Sequence, residues 1–110
     1  MTYYIAQNQN GPLPQKYPFD LPISGDVTLA FSGTCYCKFV NGIAGVRVNL
    51  DDVHIGDVPL YFNNANQHLT LPTAFFAVNL EFGPHTITLS PLTDHTLADK
   101  NDYFSLWIVD

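Results

Sequence analysis

Val27-Thr28-Leu29-Ala30-Phe31-Ser32-Gly33-Thr34-Cys35-Tyr36-Cys37-Lys38-Phe39 is the stretch whose reading decides the fold. Val27, Leu29, Phe31, Gly33, Cys35, Cys37 and Phe39 fall on one face of an extended chain, and Thr28, Ala30, Ser32, Thr34, Tyr36 and Lys38 fall on the other. Side chains alternate faces with a period of two only in a strand, so this stretch predicts β structure with one apolar side, broken or bulged at Ser32-Gly33.

Working outward, Asn41-Gly42 follows at once, and this dipeptide predicts a hairpin turn. Ala44, Val46, Val48 and Leu50 then alternate with Gly45, Arg47 and Asn49, and Asp51-Asp52 supplies a second tight turn. Val53, Ile55 and Gly56 continue the meander, and Val58, Leu60 and Phe62 carry the next apolar face. Further strands are expected near His68–Leu71, Ala74–Leu80, His85–Leu89 and Tyr103–Val109, separated by Phe82-Gly83-Pro84 and by a polar loop over Thr93–Asp102. On the N-terminal side, Pro12, Pro14, Pro18 and Pro22 fix φ and remove ladder donors. Residues 1–25 therefore read as a short strand at Tyr3–Ala6 plus an irregular, proline-rich lead-in packed on a domain of residues 26–110. No helical period with caps occurs, and strands at this spacing predict an all-β, antiparallel β-sandwich of jelly-roll type.

At 110 residues the chain is one domain in size. Its four basic residues, Lys16, Lys38, Arg47 and Lys100, are scattered against a net charge of −6, which excludes a phosphate-neutralising surface and argues against nucleic acid as a partner. No apolar stretch approaches the roughly 20 residues of a bilayer span. The start, Met1-Thr2-Tyr3-Tyr4-Ile5, has no basic region or apolar core of a secretory signal. The expectation is a protein that stays in the cytoplasm or leaves without a cleaved signal. Cys35 and Cys37 stand too far apart on one strand face for a relaxed disulfide, and read as buried thiols.

Val48–Gly56, Gly83-Pro84-His85-Thr86-Ile87-Thr88-Leu89 and Thr96–Phe104 together resemble segments of short bacterial and phage β-sandwich proteins of unknown function. Phe104-Ser105-Leu106-Trp107-Ile108-Val109-Asp110 is similar to the final strand of C1q and tumour-necrosis-factor-like jelly rolls. That resemblance implies a homotrimer. The residues point the same way: Phe104, Leu106 and Ile108 are apolar on one face, and Tyr103, Trp107 and Val109 on the other. A strand apolar on both faces is buried on both, which in two layers asks for another subunit.

Catalysis finds few candidates. Glu81 is the single glutamate, and Asp51-Asp52 is better explained as a turn than as paired carboxylates across a cleft. There is no nucleophile elbow and no glycine-rich phosphate loop. His54, His68, His85 and His95 lack helical zinc-site spacing, and His54 and His85 are expected to cap turns. Two loops are richer. Tyr61, Asn63, Asn64, Asn66, Gln67 and His68 combine an aromatic face with amides that donate and accept, which is what a sugar ring requires. Asp94, Asp99, Asn101 and Asp102 offer oxygen ligands of the kind calcium takes, although Asp and Asn also serve as plain turn formers. The expected function is a non-enzymatic, lectin-like module that binds glycans and is multivalent through self-association. The alternative is a structural jelly roll of an appendage or phage-type assembly.

Overall fold

A computed structural model describes residues 2–109; Met1, and Asp110 at the end of the terminal segment, lie outside the described residues. The chain forms ten strands: β1 (Thr2–Asn10), β2 (Gln15–Leu21), β3 (Gly25–Cys37), β4 (Gly42–Leu50), β5 (Val53–Phe62), β6 (Leu69–Thr70), β7 (Ala74–Leu80), β8 (Gly83–Pro91), β9 (Thr96–Leu97) and β10 (Tyr103–Val109). They make two antiparallel sheets, as the alternation requires. In the first, β1-β10-β3-β6 run side by side and β7 and β9 also pair with β3; the second has the order β2-β8-β4-β5. The fold is an all-β sandwich of jelly-roll type.

The core lies between the layers. Leu29, Phe31, Phe104, Leu106 and Ile108 of the first sheet face Ala44, Val46, Val48, Val58, Phe62, Ile87 and Leu89 of the second, all of them buried. Cys35 and Cys37 are free and fully buried among them. Burial pushes the Cys35 thiol up to about 12, helped by the nearby Asp102 charge and by Cys37, so the sulfur stays protonated.

Several expectations change. β3 is one continuous strand of 13 residues with no break at Ser32-Gly33. What changes there is its partners: β7 pairs up to Phe31 and β10 up to Gly33, after which β6 takes Thr34 and Cys35 and β9 takes Tyr36 and Cys37. The strand ends at Cys37, so Phe39 is not a core residue; it is half-exposed and packs edge-on against His95. Asn41-Gly42 does not close a hairpin. β3 and β4 belong to different sheets, and Asn41, at φ 57°, turns the corner between them. Asp51 and Asp52 do close one, both at positive φ as a primed turn between β4 and β5 requires. Residues 15–21 are a regular strand, and Pro18 is tolerated because β2 is an edge that pairs only with β8.

The terminal strand is central in its sheet, between β1 and β3. Its outer residue Trp107 is half-buried within the same chain, with the Tyr4 ring of β1 5.9 Å away. Neighbouring strands thus supply part of the cover that the sequence reading assigned to a second subunit.

Candidate functional site

β3 carries its C-terminal half to one end of the sandwich, and the residues that stand out there are its outward-facing Thr34 and Tyr36. Around them the chain brings two loops together. Loop 63–68 leaves β5 of the second sheet and enters β6, which pairs with Thr34 and Cys35. The segment 92–102 leaves β8, pairs briefly through β9 with Tyr36 and Cys37, and enters β10. Backbone bonds from Asn66 to the Cys37 carbonyl (2.9 Å) and from Lys38 to the His95 carbonyl (2.8 Å) hold both loops to the end of β3.

At the centre is Asp102, fully buried. Its Oδ1 accepts from the Thr34 hydroxyl (2.8 Å) and from His68 Nδ1 (2.8 Å), and its Oδ2 accepts from the Asp99 amide (2.9 Å). A carboxylate only accepts, so His68 holds its proton on Nδ1 and turns Nε2 outward, 3.8 Å from Asp99 Oδ2. The His68 ring lies on Tyr36, centroids 4.3 Å apart. Burial, the charges of Asp99 and Asp102 and a hydrogen bond to Asp99 all raise the Tyr36 pKa above 10.0, which keeps the phenol neutral. The result is an anchored aromatic pair beside a half-exposed carboxylate.

The sequence reading placed His68 in one loop site and Asp99 and Asp102 in another; the structure joins them. It does not gather the rest of either set. Tyr61 is half-exposed on β5 of the second sheet, opposite Ile43, whereas His68 ends the loop that enters β6 of the first. Asn64 and Gln67 bond each other (2.9 Å), Asn66 turns the loop at φ 60°, and Asn63 is exposed. Asp94 and Asn101 are exposed, and Asn101 gives Asp99 Oδ1 its backbone N–H (2.8 Å). Thr34 and Tyr36 were missed because the alternation marks them only as outward-facing.

His68, Asp99 and Asp102 present ligand atoms within 4.8 Å of one another, a group that could hold a metal ion. Calcium takes roughly six to eight oxygens. Here one of the three donors is an imidazole nitrogen, and both Asp102 oxygens are already engaged by protein donors. As arranged, the residues do not make a calcium cage.

No protein-family model matches the chain, and no curated protein matches its sequence. Solved structures do share the fold. The carbohydrate-binding module CBM36, in complex with calcium and xylotriose, superposes with a TM-score of 0.53 at 11% identity, over 99% of each chain. A family 35 carbohydrate-binding module from an environmental isolate gives 0.52 at 17% identity, over 97% of this chain and 72% of its own. Dimeric latent PorU from Porphyromonas gingivalis gives 0.61 at 10% identity over 88% of this chain, which spans only 10% of PorU. These likenesses establish the β-sandwich; nothing in them supports the C1q, tumour-necrosis-factor or phage resemblance.

Proposed function

We propose that the chain is a non-catalytic carbohydrate-binding module whose ligand site is the end of the sandwich formed by Tyr36, His68 and Asp99 with the amide-rich loop 63–67. The observation that carries this reading is the buried Asp102 carboxylate, which fixes His68 against Tyr36 and leaves Nε2 and the Asp99 carboxylate facing outward. Sugars are bound by ring faces beside groups that both accept and donate, held rigid before the ligand arrives. The likeness in fold to a carbohydrate-binding module solved with xylotriose supports the reading.

Binding fits these residues better than catalysis. Asp102 spends both oxygens on structural bonds, and the Cys35 thiol is held protonated. Because the arrangement is not a calcium cage, binding should persist after chelation. Multivalency is the finer part of the proposal. Ile23 and Phe82 are 74% and 70% exposed at the opposite end of the sandwich, tied together through the bond from Phe82 N to Ser24 Oγ (2.6 Å). Assembly through that end, a trimer in this reading, would repeat the sugar site around an axis and multiply weak affinities.

A glycan array read with calcium and with a chelator tests the proposal. Binding of short oligosaccharides in both conditions, lost in His68→Ala, is the expected result. No binding in either condition would favour the alternative, a structural jelly roll in an assembly.

A further inference from the structure

A second feature lies on the outer face of the first sheet, away from the loop site. Tyr4 pairs with Trp107, Trp107 with Ala30 and Ala30 with Phe75, so these four residues form one row across β1, β10, β3 and β7. Leu29, Phe31, Leu106 and Ile108, of opposite parity, are buried in the core, which puts the row on the outside. Tyr4 is 53% and Phe75 63% exposed, Trp107 is half-buried, and Ala30 is fully covered between Trp107 and Phe75. The row therefore carries aromatic side chains at three of its four positions, with a fully covered alanine between Trp107 and Phe75.

Each side of the row opens into a shallow groove. One, of about 660 Å³, is lined by the polar Asp26, Thr28 and Asn79 and by the apolar Val27, Ala77, Val78 and Val109. The other, of about 350 Å³, is lined by Asn8, Asn10 and Tyr103. An Asn79–Asp26 hydrogen bond (2.8 Å) and one from Ser105 Oγ to Asn8 Oδ1 (3.2 Å) orient the amides and the carboxylate along these edges. No lysine or arginine lines either groove.

We infer that this face binds an extended β-1,4-linked glycan chain laid across the strands, with sugar rings on Tyr4, Trp107 and Phe75. The chemistry of such a chain matches the layout. A pyranose ring is apolar on its faces and polar round its rim, and here an aromatic row is flanked on both sides by amide, hydroxyl and carboxylate groups. Trp107 and Phe75 are two strands apart, roughly 10 Å, close to the length of two β-1,4-linked rings. The inference rests on the saccharide-binding reading but uses a different surface, so the two can fail separately.

The test is affinity electrophoresis in gels containing soluble β-1,4-xylan or hydroxyethylcellulose. Tyr4→Ala and Phe75→Ala, at exposed positions, should each weaken retention by the polymer about tenfold relative to the wild-type protein, the size expected for losing one stacking partner. Trp107→Ala should abolish it, with circular dichroism and the two milder variants guarding against misfolding. His68→Ala should leave polymer retention within about twofold while losing short ligands of the loop site. Wild-type migration unchanged by either polymer, or full retention of the Tyr4 and Phe75 variants, overturns the inference. A wild-type oligomer that Phe75→Ala dissociates also overturns it, by assigning the face to a second copy. If His68→Ala changes nothing while the row variants lose binding, the loop site falls and the row stands.

Discussion

Asp51 closes the β4–β5 turn and, with the same carboxylate, holds the start of β8. Its Oδ1 accepts from the Thr86 amide (2.8 Å) and its Oδ2 from His85 Nδ1 (2.6 Å), while His85 Nε2 donates to the Glu81 carbonyl (2.7 Å). Both ring nitrogens face acceptors, so the two hydrogen bonds form together only when His85 carries both protons. Burial opposes that charge, but the Asp51 hydrogen bond, the Glu81 carbonyl and the charges of Asp51 and Asp20 outweigh it and raise the pKa above 6.5. For Asp51, burial pushes up, but the His85 bond, the Thr86 amide and the His85 charge prevail and lower it below 3.8. The signs follow by linkage. His85 contributes stability in full below about pH 6.5, lost as pH rises through its raised folded value. Asp51 contributes above about pH 3.8, lost as pH falls through its lowered one. Urea midpoints of the wild type should therefore decline from neutral to mildly alkaline pH, and those of His85→Gln should not follow that decline. A parallel decline in the variant would remove His85 as its source. The sequence showed His85 near a turn as a cap; it could not show that both ring nitrogens find acceptors.

At the scale of elements, the alternation marks which strand face is apolar but not which strand sits opposite. Gly56 shows the difference. It lies on β5 in the second sheet, and a Cβ there would run into the ring of Phe76 on β7 of the first. The close approach of the layers at this point needs a residue with no side chain. Gly56→Ala should cost about 1–3 kcal/mol by overpacking, read as a lower urea midpoint with an unchanged m-value. Pairing Gly56→Ala with Phe76→Leu should recover part of the loss, because the smaller side chain makes room. Failure of that rescue would show that the glycine serves something other than the contact between layers. Asn41-Gly42 carries the same lesson, since its dihedrals suit a hairpin and a corner equally well. Only the pairing of β4 with β5 and β8, and of β3 with β7 and β10, makes it a corner.

For the whole molecule, the placement of exposed apolar groups matters most. Both ends of the sandwich present exposed apolar side chains: Phe39, Val40, Ile43 and Tyr61 at the end that carries His68 and Asp99, and Ile23 and Phe82, held side by side, at the other. Exposed apolar groups gathered in one place commonly mark an association surface. Native mass in solution should exceed that of one 12.3 kDa chain, and Phe82→Ser should return the protein to a monomer while leaving sugar binding by the single site intact. A monomeric wild type would remove multivalency from the proposal and leave the single-site module. No helix among the described residues is long and apolar enough to cross a membrane.

By itself the sequence determined the class of fold, because alternation at period two is a local property that only a strand with one buried face satisfies. It likewise determined the Asp51-Asp52 hairpin and the buried cysteines. What the tertiary structure alone decided is adjacency. Tyr36, His68, Asp99 and Asp102 are as much as 66 residues apart in the chain, and Tyr4 meets Trp107 only through the register of β1 on β10. Register is fixed by how two layers bury their faces together, a long-range condition that no single segment contains.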